Sequence, residues 1–248
     1  MSWFNDVNAS LPEAHKAFSS LDAVWQLQGR VITTSSLCEV LRVELDGKGY
    51  YVKRYCKAGD NPVGALVKSK ARREWENLQR FKAWGLPVAE VVACGEESRW
   101  SRPRRGALVT AEIENSKDLA WLADHDSPLL QQPQWVNNVS RQVAEASAVM
   151  HQHSFAHNDW KWRNILVSGS EQDPRICMID CPAGTFWWGA FFEYRRIKDI
   201  ACLDKIARRT LTIKQRIRFY QQYQSVKKLT PKHRRDIAKI LRFFKGRE

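Results

Sequence analysis

The sequence predicts an α+β fold in two lobes, a small β-rich one followed by a helical one, and three observations lead there. The runs Gly49 to Tyr55 and Ala107 to Ile113 are dense in aromatic, β-branched and small apolar residues, which favours strands. From Val136 to Met150 the residues Val139, Val143, Ala146 and Met150 recur at spacings of three and four, which is helical. At 248 residues and 44% hydrophobic content, the chain can bury one sizeable core. The expected layout is a single domain over 1–248, with its first lobe at 20–113 and its second at 114–248.

Taken in chain order, the elements bring polar residues to chosen places. Lys53 lies inside the strand Gly49 to Tyr55 and needs a partner there. Twenty-one residues on, Ala71 to Phe81 has helical periodicity, with Trp75, Leu78 and Phe81 or Lys82 along one side and Glu74 next to it, within reach of Lys53. The blander reading has Lys53 edging a sheet and Glu74 in solvent. His157 to Leu166 reads His-Asn-Asp-Trp-Lys-Trp-Arg-Asn-Ile-Leu, an acid, a lysine and an amide at fixed spacing before an apolar stretch. Twenty-one residues after Asp159, the apolar run Ile176 to Ile179 delivers Asp180 to its C-terminal end, as a buried strand or as a turn former before Cys181-Pro182. Six aromatics then crowd the segment up to Arg195 and Arg196. Arg196 to Leu203 opens a helix with Asp199 near its start, either a first-turn acid or a buried grip on the loop before it.

This set of residues points to phosphoryl transfer, which asks a protein for positioned charges and little covalent chemistry. Asp159 is placed to take the proton of an acceptor hydroxyl, Lys161 to offset charge on the γ-phosphoryl group, and Asn164 and Asp180 to hold Mg2+. Lys53, held by Glu74, would orient the α and β phosphates of ATP. The strand Ala107 to Ile113 would run into a hinge, where backbone near Glu112 and Ile113 reads adenine. His151, His153 and His157 lack the converging geometry that zinc requires.

The runs Leu41 to Leu45, Tyr51 to Tyr55, Arg72 to Leu78 and Gly85 to Ala89, together with the two catalytic segments, resemble the lipopolysaccharide kinase family of Kdo kinases and WaaP-type inner-core heptose kinases. The resemblance covers about residues 25 to 205. It implies a protein-kinase-like fold and ATP-dependent phosphorylation of a core sugar, heptose first and Kdo as the alternative. The implied acceptor is a lipid A-core glycolipid at the cytoplasmic face of the inner membrane. Three departures stand out. Gly29 to Leu37 has no Gly-x-Gly-x-x-Gly, so hydroxyls and amides of Thr33 to Ser36, Ser35 and Ser36 among them, are the candidates for capping phosphates. Asp180-Cys181-Pro182 replaces Asp-Phe-Gly, which argues against a side-chain flip, and no Ala-Pro-Glu follows, which argues against peptide docking; the aromatic segment up to Arg195 is hard to regulate by phosphorylation and implies constitutive activity. A soluble small-molecule kinase of the aminoglycoside phosphotransferase kind, or an inactive nucleotide-binding relative, would share parts of the pattern.

Charge separates these readings further. The net charge is +13, and residues 205–248 hold 15 Lys and Arg against 2 acids, so all of the excess is C-terminal. Ile213, Ile217, Tyr220 and Tyr223, then Ile237, Ile240, Leu241 and Phe244, give that region two amphipathic helices broken near Thr230-Pro231. Such helices suit an anionic membrane surface or an acidic core oligosaccharide. Deleting them should disarm a glycolipid kinase and spare a soluble one. No nucleic-acid-binding module accompanies the basic face, so nucleic acid is not an expected partner. The N-terminus lacks a signal-peptide pattern, so the expected location is cytoplasmic and peripheral to the inner membrane. The six cysteines are scattered without metal spacing and suit reduced thiols, with Cys181 the one marked for covalent labelling.

Overall fold

The computed structural model describes residues 2–56, 68–99 and 102–246, and the chain divides into two compact units, residues 1–82 with 88–114 and residues 83–87 with 115–248. Unit 1 is built on a six-stranded antiparallel sheet. Its strands are β1 (Phe4–Asn5), β2 (Arg30–Thr34), β3 (Cys38–Leu45), β4 (Lys48–Cys56), β5 (Val91–Arg99) and β6 (Arg102–Ala111), in the order β1-β5-β6-β4-β3-β2. Strand β4 is therefore interior: Lys53 pairs with Val40 on one side and Leu108 on the other, so it does not edge the sheet.

Alternation along β4 gives its two faces different work. Tyr50, Val52 and Arg54 are buried on one face, against a core that includes Val7, Ala14, Phe18 and Val24. This core takes in helices α1 (Pro12–Ala17) and α2 (Leu21–Gln26), so the compact unit starts well before residue 20. Buried Arg54 donates to the carbonyl of Val24 and pairs with Glu39 at 3.0 Å, which satisfies both its charge and the end of α2. Tyr51, Lys53 and Tyr55 occupy the opposite face. Helix α3 (Lys70–Ala83) buries Ala71, Glu74, Asn77, Leu78 and Phe81. Glu74 thus lies within the buried stripe, while Lys82 is exposed and Trp75 only partly covered.

Unit 2 is mostly helical. After β7 (Lys117–Asp118) and α4 (Leu119–Asp124), helix α5 (Pro133–Gln152) buries Val136, Val139, Val143, Ala146 and Met150, the residues whose spacing predicts it. There follow β8 (Phe155–Ala156), β9 (Ile165–Gly169), β10 (Pro174–Met178), β11 (Thr185–Phe186), α6 (Gly189–Thr210), α7 (Ile213–Tyr223) and α8 (Pro231–Arg242). Residues 83–87 join this unit because Trp84 stacks on His153 with ring centroids 4.2 Å apart, and the Pro87 carbonyl accepts the Met178 N–H at 2.7 Å.

Two expectations change here. Helix α6 begins at Gly189, seven residues before Arg196, so Asp199 sits near its middle and the first-turn dipole account does not apply. The basic C-terminal helices do break at Thr230, whose side chain accepts the His233 N–H, but they are structural. Tyr220, Tyr223 and Ile240 are buried, and Tyr223 Oη hydrogen bonds His151 Nδ1 at 2.7 Å. Arg196 on α6 meets Asp236 on α8 at 2.7 Å, both nearly sealed from solvent. Deleting these helices would strip buried partners from α5 and α6, so loss of activity on deletion would not separate a glycolipid kinase from a soluble one. Helices α5 to α8, with Leu119 and Leu130, also line a half-open apolar pocket of about 280 Å³ that includes Val139, Leu203, Ile217 and Ile240. Among the described residues no helix is long and apolar enough to cross a membrane.

Candidate active site

In unit 1 the face of β4 that carries Lys53 meets the buried stripe of α3. Lys53 Nζ lies 2.7 Å from Glu74 Oε1, and Glu74 is 1% exposed. A carboxylate that deep needs more than one partner. Tyr55, two residues beyond Lys53 and so on the same face, supplies the second by donating its hydroxyl to Glu74 Oε2. Burial, and then the Glu74 charge, push the Tyr55 phenol well above its ordinary value, so it stays a donor. Sequence reading singled out Lys53 and Glu74 and passed over Tyr55, although period-two alternation was the signal for it.

The other unit 1 candidates are already engaged. Ser35 Oγ accepts the Cys38 N–H at 3.1 Å and donates to the Cys38 carbonyl, closing the turn between β2 and β3, whereas Ser36 is exposed. The Glu112 N–H donates to the Gly49 carbonyl at 2.9 Å, so that amide is not available to an adenine. The Glu112 carboxylate is held by both Nε and Nη2 of Arg42, at 2.7 Å to the latter, and accepts from Tyr51 Oη. The Arg42 guanidinium keeps this carboxyl below its ordinary value. A Cβ at Gly49 would overlap the Glu112 carboxylate and force it away from Arg42. Ile113 follows directly, at the end of the unit.

In unit 2, helix α5 ends at Gln152, and β8 carries the chain into the loop His157 to Asn164. Asp199, fully buried on α6, accepts the N–H of His157 at 2.7 Å and of Asn158 at 2.9 Å. Gripping rather than capping is therefore its role. Trp160 is buried and donates to Ser147 Oγ on α5 at 2.8 Å, which pins the loop from beneath. Between these anchors Asp159 and Lys161 are partly exposed and ion-paired to each other.

The antiparallel pairing of β9 with β10 sets Met178 opposite Ile165, and the Ile179 N–H donates to the Asn164 carbonyl at 3.0 Å. This register brings the residue before β9 alongside the residues after β10, which is how Asn164 and Asp180 become neighbours. The Asn164 amide nitrogen donates to the Asp159 carbonyl at 2.8 Å and to Asp159 Oδ2 at 3.4 Å, which leaves the amide oxygen as the atom to offer a cation. One carboxamide oxygen and one carboxylate are hard donors of the kind Mg2+ takes when substrate phosphates and water complete its shell. Among the described residues no cluster of three His, Cys, Asp or Glu stands ready to hold a metal by itself, as a soft-metal site would require. Asp180 has a left-handed φ of 60°, uncommon away from glycine and a form of strain that concentrates at functional sites.

After Asp180 the chain is locked. Cys181 is fully buried, and a Cβ on Gly184 would come within 2.5 Å of both its sulfur and the Phe155 ring. The labelling expected at Cys181 does not fit a thiol with no exposed surface. Burial also pushes the thiols of Cys177 to about 12 and Cys202 to about 11. Strand β11 pairs with β8, and Asn158 Nδ2 donates to the Ala183 carbonyl at 2.9 Å. Of the segment's aromatics, Phe186 packs edge-on to Phe155 as core, whereas Trp188 and Phe191 stand in solvent.

The profile of the lipopolysaccharide kinase (Kdo/WaaP) family matches residues 18–223. The lipopolysaccharide core heptose(I) kinase WaaP of Pseudomonas aeruginosa is 29% identical over 174 residues, which is 64% of this chain and 63% of the relative. The chain thus matches just under two thirds of that relative's length. A 3-deoxy-D-manno-octulosonic acid kinase of Actinobacillus succinogenes is 23% identical over 66% of this chain and 72% of its own length. Among solved structures, WaaP in complex with acyl carrier protein superposes with a TM-score of 0.74 at 24% identity, covering 100% of this chain and 98% of the other. That likeness gives the fold.

Proposed function

This chain belongs to the lipopolysaccharide kinase (Kdo/WaaP) family, and on that premise we propose that it transfers the γ-phosphoryl group of ATP to a hydroxyl of an inner-core sugar, most simply a heptose. The observation that carries the proposal is the β9–β10 register, which makes neighbours of Asn164 and Asp180 while Asn164 holds Asp159. Asp159 aligns the sugar hydroxyl and takes its proton as the bond to phosphorus forms. Lys161, paired with Asp159 at rest, turns toward the transferring group and offsets its charge. Lys53, fixed by Glu74 and Tyr55, steadies the α and β phosphates. Asn164 and Asp180 would hold Mg2+, which would supply charge neutralisation for the transferring phosphate. Adenine recognition falls to the Glu112 carbonyl and the Ile113 backbone, and Ser35 and Ser36 both lie on the surface of the β2–β3 turn, Ser35 tied to Cys38.

Work on a lipid A-linked acceptor places this activity at the cytoplasmic face of the inner membrane, where the exposed bases of α7 and α8 would meet anionic headgroups. Mass spectrometry of core oligosaccharide from cells with and without the protein tests the whole reading. Loss of one phosphate from a heptose is the expected result, loss from Kdo would reassign the acceptor, and an unchanged core would end the proposal.

A protein partner is proposed from a separate observation. The solved relative was captured with acyl carrier protein, and the half-open pocket among α5 to α8 offers an acyl chain an apolar lining. Acyl-loaded carrier protein should raise the melting temperature of this chain more than the unacylated carrier does, and equal shifts would remove the cavity from the account.

A further inference from the structure

Resting on the reading that the acceptor is anchored in a bilayer, we propose that the first turns of α6 dock the protein on an anionic phospholipid surface through Trp188, Phe191 and Tyr194. Trp188 and Phe191 are each 73% exposed and Tyr194 is 47% exposed. Three large aromatics this open within seven residues form an apolar patch that a soluble helix start does not ordinarily keep bare. Trp188, Phe191 and Arg195 are three and four apart, so they lie along one side of the helix.

The surroundings of the patch are basic. Arg195 and Lys198 come from α6 itself, and the end of α8 lies alongside, with Phe243 against Tyr194 at a centroid distance of 5.3 Å. That end exposes Lys239, Arg242 and Lys245. Glu193 is the sole acid between 189 and 198, and Arg196 engages it at 2.7 Å. Tryptophan and tyrosine sit well where hydrocarbon meets headgroup, and each nearby base adds attraction to anionic lipid. None of the three aromatics lines the apolar cavity, so the patch is a separate feature.

The patch is also wired to the catalytic loop. Arg195 stacks over Trp187 at 4.7 Å and donates to Asn158 Oδ1 at 3.4 Å, while Lys198 Nζ donates to the Asn158 carbonyl at 2.8 Å. Asn158 immediately precedes Asp159. Docking by this turn therefore sets where the base stands relative to the headgroup plane, and so which sugar of an embedded glycolipid it reaches.

Vesicles of three parts phosphatidylethanolamine to one part phosphatidylglycerol provide the test. The wild-type protein should float with them, and Trp188→Ser with Phe191→Ser should cut partitioning at least about tenfold. Trp188→Phe should keep binding but lose part of the fluorescence quenching that brominated lipid causes. The double serine variant should phosphorylate a deacylated, water-soluble core oligosaccharide as the wild type does, and lose transfer to the same core embedded in vesicles. Unchanged flotation of that variant would overturn the proposal, as would a wild type that ignores vesicles while the patch binds a protein. Absence of transfer to either acceptor by the wild type would defeat the kinase reading alone, since flotation judges docking independently.

Discussion

Asp159 is held from two sides, by Lys161 at its carboxylate and by the Asn164 amide at its carbonyl and Oδ2. Asp159→Asn keeps that shape and removes the base, so turnover should fall at least about a hundredfold with nucleotide affinity unchanged. Rapid transfer by this variant, with tight ATP binding, would show that another group takes the proton. Glu112 gives a pH-dependent counterpart. Its folded-state carboxyl lies below the ordinary value of 4.5, so the stability it contributes is present above that value and lost as pH falls through the lowered one. Glu112→Gln should cost about 1 kcal/mol at pH 7 in urea unfolding, discounted for partial exposure, and the gap to wild type should close in acid. Lys53 and Glu74 were readable because strand and helix periods place them. Tyr55 needed the same alternation carried two residues further, and the left-handed backbone of Asp180 carries no composition signal at all.

At the scale of elements, α6 organises the loop that bears Asp159. Asp199→Ala would strand two buried amides, and it should cost about 3 kcal/mol or more in denaturant unfolding. Its effect on catalysis should fall on kcat more than on the KM for ATP, because the loop and not the nucleotide lysine loses its hold. A loss confined to KM would contradict that division. The long elements were legible: α5 by its apolar spacing, β4 by its composition, α7 and α8 by their break at Thr230-Pro231. The start of α6 was not, since Trp188 offers no capping side chain and an aromatic cluster reads equally as loop. Strands β8 and β11 are two residues each and carry no period to detect.

For the molecule as a whole, the basic C-terminal region serves as fold and as charged surface together. Arg196→Met leaves Asp236 charged in the interior and should cost about 3–5 kcal/mol, whereas Arg196→Met with Asp236→Leu should recover much of that loss. Additive effects in thermal melts of the single and double variants would mean the pair is not coupled. Composition foretold the region's charge and amphipathy, but burial of Tyr223 against His151 depends on contacts 72 residues apart, beyond the reach of local pattern. Such distant closure bears on synthesis. The sheet of unit 1 is complete by residue 114 and can settle while the ribosome is still at work, yet His151 on α5 waits 72 residues for Tyr223 and Arg196 on α6 waits 40 for Asp236. A messenger cut between Arg196 and Asp236 therefore yields a nascent product whose Arg196 keeps only Glu193 and whose flank is open, fit for proteases and unable to persist as a shortened enzyme.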